Sequence, residues 1–155
     1  MDQIKERIKG HEGFRDEAYN DSLGIPTIGW GHMILPKDNI QIGVKYSVEH
    51  LSEIFDKDFE IAVKGAEQLI EEHLPNLYTQ GLKQGNIEQI QGVLIEMIFQ
   101  MGYPRVSKFK KTLKALDSGD FNTAADEMLD SRWHKQTPAR AIELSTVIRL
   151  SLIHI

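Results

Sequence analysis

HEGFRDEAYNDSLGIPTIGWGH, residues 11–32, sets an acid directly before a glycine and follows it with a run broken by three more glycines and a proline. It carries four carboxylic acids, Glu12, Asp16, Glu17 and Asp21. Just upstream, Ile4 and Ile8 stand four apart among charges, which predicts a short amphipathic helix over 3–12. Gly13 sits where a C-terminal glycine ends such a helix. NDSLG (20–24) has turn chemistry and IPTIGWGH (25–32) reads as a strand, which Pro26 confines to a sheet edge or to the strand's own start. ILPKDNIQIGVKYS (34–47) reads as a further loop or short strand with an exposed rim.

Helices dominate from there. Ser47 is placed to cap a long helix with Leu51, Ile54, Phe55, Phe59, Ala62, Val63 and Ala66 on one face, running to about residue 70 ahead of Pro75. Asn86 is a candidate cap for IEQIQGVLIEMIFQM (87–101), apolar nearly all round and therefore suited to the centre of a bundle, with Gly102 and Pro104 closing it. Shorter helices follow at about 107–117 and 121–130, the first ended by Gly119 and the second capped by Asp120. Thr137 and Pro138 open a last one. The plan is α+β and mainly α: a small β-hairpin lobe and a larger helical bundle joined by a long helix. The 155 residues form one domain, with a β lobe at about 13–60 and a helical lobe made of 1–12 plus about 61–155.

Totals exclude several classes. With no cysteine, disulfides, zinc-thiolate sites and thiol nucleophiles are ruled out. A net charge of −5 argues against general nucleic-acid binding. MDQIKERIKGHEGF is charged and periodic, so neither a secretory signal nor a membrane anchor is expected at the start of the chain. Charge is nevertheless uneven: RVSKFKKTLK (105–114) has five basic residues and no acid, and 131–155 holds four Lys/Arg against Glu143 alone. These are solvated helix faces that could also gather an anionic polymer locally.

Glycosidic hydrolysis generally needs two carboxyl groups flanking the bond, one protonated to donate to the leaving oxygen and one ionised to orient water or attack carbon. Glu12 ends a helix, where the negative end of the dipole favours keeping a proton. Asp21, in a polar turn, suits the ionised partner. Spacing alone leaves both open to duller roles, helix solvation and an Asx-turn.

The residues around them narrow the choice. Glu12-Gly13, Tyr19-Asn20-Asp21 and Gly24 through His32 follow a pattern of E-G, Y-x-D and G-x-x-T-I-G-x-G-H; with FQMG (99–102) and SRWHKQTPARA (131–141), this resembles the T-even phage lysozyme family. The resemblance spans about residues 4–149 and implies the lysozyme-like fold and an inverting muramidase that cuts bacterial peptidoglycan, with no cofactor and no metal. It implies that Glu12 is the general acid, Asp21 the carboxylate that positions water and Thr27 a hydroxyl that helps hold it. Met33, Phe99, Gln100, Thr112 and Glu127 fall on substrate-cleft positions, although an acid at 127 departs from the family. His32 is implied to be structural, paired with Asp58 on the long helix. Arg140 is implied to come near the catalytic glutamate in a structural and electrostatic role, and Trp133 to be a core anchor. A monomer is expected, made in the host cytoplasm without a signal peptide, acting on the wall after release with a holin.

Elsewhere the match departs. His11 replaces an acid and Glu143 a residue commonly basic, which predicts a pair reversed in sign. After Arg149 the chain reads LSLIHI instead of R-T-G-x-W. The expected role is a phage-type endolysin; a lysozyme module of a tail apparatus, a non-catalytic wall-binding protein and a lytic transglycosylase are the alternatives.

Overall fold

The computed structural model describes residues 1–152, and the chain divides into two compact units, Met1–Ile61 and the remainder from Ala62. The atypical ending begins in a 3-10 turn, Leu150–Leu152; residues 153–155 lie outside the described residues.

In the first unit, helix α1 (Asp2–Glu12) buries Ile8 completely and stops where the Gly13 N–H bonds Lys9 O at 3.0 Å. Three antiparallel strands follow in sheet order, β1 (Arg15–Asn20), β2 (Pro26–Gly29) and β3 (His32–Met33). The single strand expected over 25–32 is thus two strands, reversed at Trp30–Gly31. Pro26 opens β2, the central strand, where a missing N–H is tolerated only at the first residue. Strand β1 carries no apolar run, so only its pairing with β2 reveals it. The register puts Tyr19, Thr27 and Met33 in one cross-strand row, whose side chains share a face of the sheet.

Ser47 starts α2 (Val48–His73) as expected, its Oγ accepting from His50 N at 3.1 Å. Leu51, Phe55 and Phe59, at helical spacing on α2, are buried. Phe14, Trp30, Phe55 and Phe59 form a chain of ring contacts with centroids 4.6, 5.7 and 6.1 Å apart. Lys9 Nζ lies 4.5 Å from the Trp30 centroid and 4.9 Å from that of Phe55, and Lys5 Nζ lies 5.2 Å from that of Phe59. Cation–π attraction and burial of the lysine stems hold α1 to these rings. Residues 1–12 fall in the first unit together with the three strands.

The second unit takes the rest of α2, which runs three residues past the expected end before Pro75 follows. Its central helix α3 (Gln84–Met101) buries Ile87, Ile90, Val93, Leu94, Ile95, Met97 and Ile98, matching the all-round apolar pattern. It starts earlier than expected, however. Asn86 is buried inside the first turn and its N–H bonds Lys83 O, so it is not the cap. Gly102 ends α3, but Pro104 does not end the helical run: it sits in the first turn of α4 (Tyr103–Val106), where proline is favoured.

Helices α5 (Lys110–Ser118) and α6 (Phe121–Leu129) are joined at Gly119–Asp120, with Asp120 Oδ1 accepting from Thr123 N. Helix α7 (Arg132–Gln136) has no counterpart in the sequence reading. It is capped by Ser131 Oγ on His134 N. Helix α8 (Pro138–Arg149) begins with proline as expected, but the Thr137 side chain does not cap it. Among the described residues no helix is long and apolar enough to cross a membrane.

Candidate active site

Glu12 is the last residue of α1, and its carboxyl lies against Gly31 in the β2–β3 turn. Gly31 has φ +74°, a conformation that side chains disfavour, and a Cβ built there would stand 2.6 Å from Glu12 Oε1. Glu12 is therefore held where the chain leaves α1 and where the hairpin reverses.

Asp21 and Thr27 are joined through one residue, Ile25. Asp21 Oδ1 accepts from Leu23 N at 2.8 Å and from Ile25 N at 2.9 Å. The Ile25 carbonyl in turn accepts from Asp21 N at 3.0 Å and from the Thr27 hydroxyl at 2.8 Å. Gly24 N closes the loop on Asp21 O at 2.9 Å. Asp21 is half-buried and Thr27 buried. Because the Thr27 proton is given to Ile25, its oxygen can meet a water only as an acceptor. The turn uses Asp21 Oδ1, so Oδ2 is the oxygen that can accept a second proton from that water. Met33 is 55% exposed directly across the sheet from Thr27, open to a ligand.

His32 lies between two carboxylates. Nδ1 is 2.7 Å from Asp58 Oδ2 and Nε2 is 2.8 Å from Asp38 Oδ2. The hydrogen bond with Asp58 holds the imidazolium; with Asp38 adding to it, the pair outweighs partial burial and raises His32 above its ordinary 6.5. Partial burial alone would push the Asp38 carboxyl up, but hydrogen bonds from His32 and the Leu35 N–H overcome it and leave Asp38 below its ordinary 3.8. The Asp58 pairing is the one expected. Asp38, only six residues from His32, is a second partner that the sequence reading missed. With both ring nitrogens engaged, His32 is a clamp between the 34–38 loop and α2.

In the second unit, Trp133 is buried and donates from Nε1 to Gln100 Oε1 at 2.9 Å. Gln100 Nε2 donates to Thr137 Oγ1 at 3.3 Å, and that hydroxyl also reaches Trp133 O at 3.2 Å. Thr137 is thus spent on this chain of bonds instead of on capping α8. Thr112, Glu127 and Trp133 line one pocket of about 560 Å³ together with Lys108, Lys111 and Arg132. Three residues picked separately from the sequence therefore share a concave surface. Phe99 is half-buried in the last turn of α3. Arg140 Nε donates to Glu96 Oε2 at 2.7 Å, with both groups buried. Glu96 was the unnoticed partner, although a lone acid within an otherwise apolar stretch of helix was a signal for one.

A family model described as Phage lysozyme matches residues 9–146. Probable T4-type lysozyme 1 of Dictyostelium discoideum is 31% identical over 99% of this chain and 98% of its own length. The endolysin of Salmonella phage P22 is 30% identical over 79% of this chain and 76% of its own. The pre-baseplate central spike protein Gp5 of Enterobacteria phage T4 is 31% identical over 94% of this chain, a match that takes up 27% of that protein. The chain belongs to the phage lysozyme family, glycoside hydrolases that degrade peptidoglycan.

Proposed function

We propose that the chain is a muramidase that hydrolyses the β-1,4 bond between N-acetylmuramic acid and N-acetylglucosamine with inversion, as a phage-type endolysin acting on the cell wall. Glu12 gives its proton to the glycosidic oxygen as the bond to the anomeric carbon breaks. A water attacks that carbon from the opposite face and loses a proton to Asp21; Asp21 then releases that proton to solvent and Glu12 takes one up, which restores the resting pair. Ile25, whose N–H binds the Asp21 carboxylate and whose carbonyl accepts from the Thr27 hydroxyl, carries this reading. It holds two acceptors in one relation, so the water's two protons have preset partners and its lone pair faces outward.

Met33, Phe99, Gln100, Thr112 and Glu127 are the residues proposed to contact the saccharide. The basic residues Lys108, Lys111 and Arg132 that line the pocket with Thr112 and Glu127 give an acidic chain a local surface for a carboxylate-bearing wall. Digestion of purified murein tests the proposal. Products that carry one added water and appear first as the α-anomer are expected; anhydromuramic ends, or no cleavage, would overturn it. The match to the Gp5 spike protein favours, as a second reading, a lysozyme module of a tail apparatus. Lysis of host cells by the chain expressed with a holin, without phage particles, supports the endolysin role.

A further inference from the structure

We infer that the Trp30–Gly31 turn positions the Glu12 carboxyl, and that Gly31 is a positioning residue because the acid occupies the space its side chain would fill. The inference rests on the reading of Glu12 as the proton donor. A Cβ on Gly31 would lie 2.6 Å from Glu12 Oε1, 3.0 Å from Cδ and 3.5 Å from Cγ. The outer half of the glutamate is therefore laid along the bare face of this glycine. Ordinary contact between carbon atoms needs about 3.5–4.0 Å, so any side chain at 31 must push the carboxyl away.

The same turn grips the chain on both sides of the acid. The Trp30 ring sits 4.6 Å from that of Phe14, two residues after Glu12, and 4.5 Å from Lys9 Nζ, three residues before it. Lys9 and Glu12, three apart in one helix, share a face. One two-residue turn thus touches positions 9, 12 and 14: Trp30 meets the side chains on either side, and Gly31 sets how far the carboxyl can retreat. A reacting group displaced by about 1 Å can lose about 100-fold in rate.

Gly31 is also required by its φ of +74°, so the two causes must be separated. Gly43 has φ +83° and nothing within 4 Å of its Cβ position, which makes Gly43→Ala the control for backbone strain alone. Gly31→Ala is expected to lower kcat about 100-fold with KM within about twofold, whereas Gly43→Ala leaves both unchanged for a comparable fall in Tm. The decisive reading is a double-mutant cycle with Glu12→Asp, whose shorter side chain withdraws from the glycine. In that background Gly31→Ala is expected to cost less than about threefold.

Equal losses of kcat in the two backgrounds, or a loss matched by Gly43→Ala, would overturn the inference. Should Gly31→Ala fail to fold, Trp30→Leu takes its place: a loss of kcat in the Glu12 protein that largely vanishes with Glu12→Asp supports the inference, and equal losses defeat it. Glu12→Gln distinguishes the underlying reading. If that variant keeps full activity, Glu12 is not the acid; if it is inactive while the cycle is additive, only the positioning role falls.

Discussion

The hairpin between Arg15 and Met33 and the helical unit beyond Ala62 are built by different means. The hairpin places its polar groups by backbone geometry: positive-φ glycines, an Asp21 side chain bonded to its own turn, and a carbonyl shared by Asp21 and Thr27. The helical unit surrounds polar pairs contributed by different helices, Arg140–Glu96 and Trp133–Gln100, with apolar side chains. Changes in the first region should therefore register as lost chemistry, and changes in the second as lost stability.

The sharpest test of that contrast is Glu12→Gln. It is expected to lower kcat by about 10³-fold while Tm and murein binding hold, read by turbidity clearing and co-sedimentation. Trp133→Ala sits at the other extreme. Emptying its site and removing the donor to Gln100 Oε1 should cost about 4 kcal/mol in urea unfolding, with kcat per folded molecule falling far less. If it silences catalysis in fully folded protein, the contrast breaks. Next, Arg140→Met is expected to cost about 3 kcal/mol, because it removes a charged partner from the buried Glu96 carboxylate; adding Glu96→Leu should restore part of the loss.

The His32 clamp gives a smaller effect with a pH signature. His32 is raised above 6.5 on folding, so its contribution is complete below that pH and fades as pH rises through the higher folded value. Asp38 is lowered from 3.8, so its contribution is complete above that pH and fades as pH falls through the lower folded value. The stability gap between wild type and His32→Asn should therefore be widest between pH 3.8 and 6.5, at about 2 kcal/mol. A gap that widens above pH 8 would contradict this. Smallest of all, clearing of murein should change by less than about threefold between low salt and 0.15 M, because the net charge of −5 offers no long-range attraction to an anionic wall.

How much could be read in advance follows the same division. The backbone settings of Glu12, Asp21 and Thr27 were legible because short-range rules govern them: a helix end, an Asx-type turn, a strand start. The long helices were legible from periodicity. What failed depends on partners distant in sequence or on a competing use of the same atom. Asn86 looked like a cap but is claimed by the core. Thr137 has capping chemistry, yet its hydroxyl goes to Gln100 and Trp133. Strand β1 has no apolar run and exists through its pairing, while Glu96 and Asp38 gain meaning only beside Arg140 and His32. Sequence patterns locate chemistry that the backbone builds locally and miss chemistry that folding assembles.

The two tryptophans lie one on each side of the division after Ile61, Trp30 against a lysine ammonium and Trp133 sealed beside an amide. Nature has thus supplied an optical label in either half. Their emission, read in single-tryptophan versions during denaturation, would tell directly whether the halves melt together or in turn.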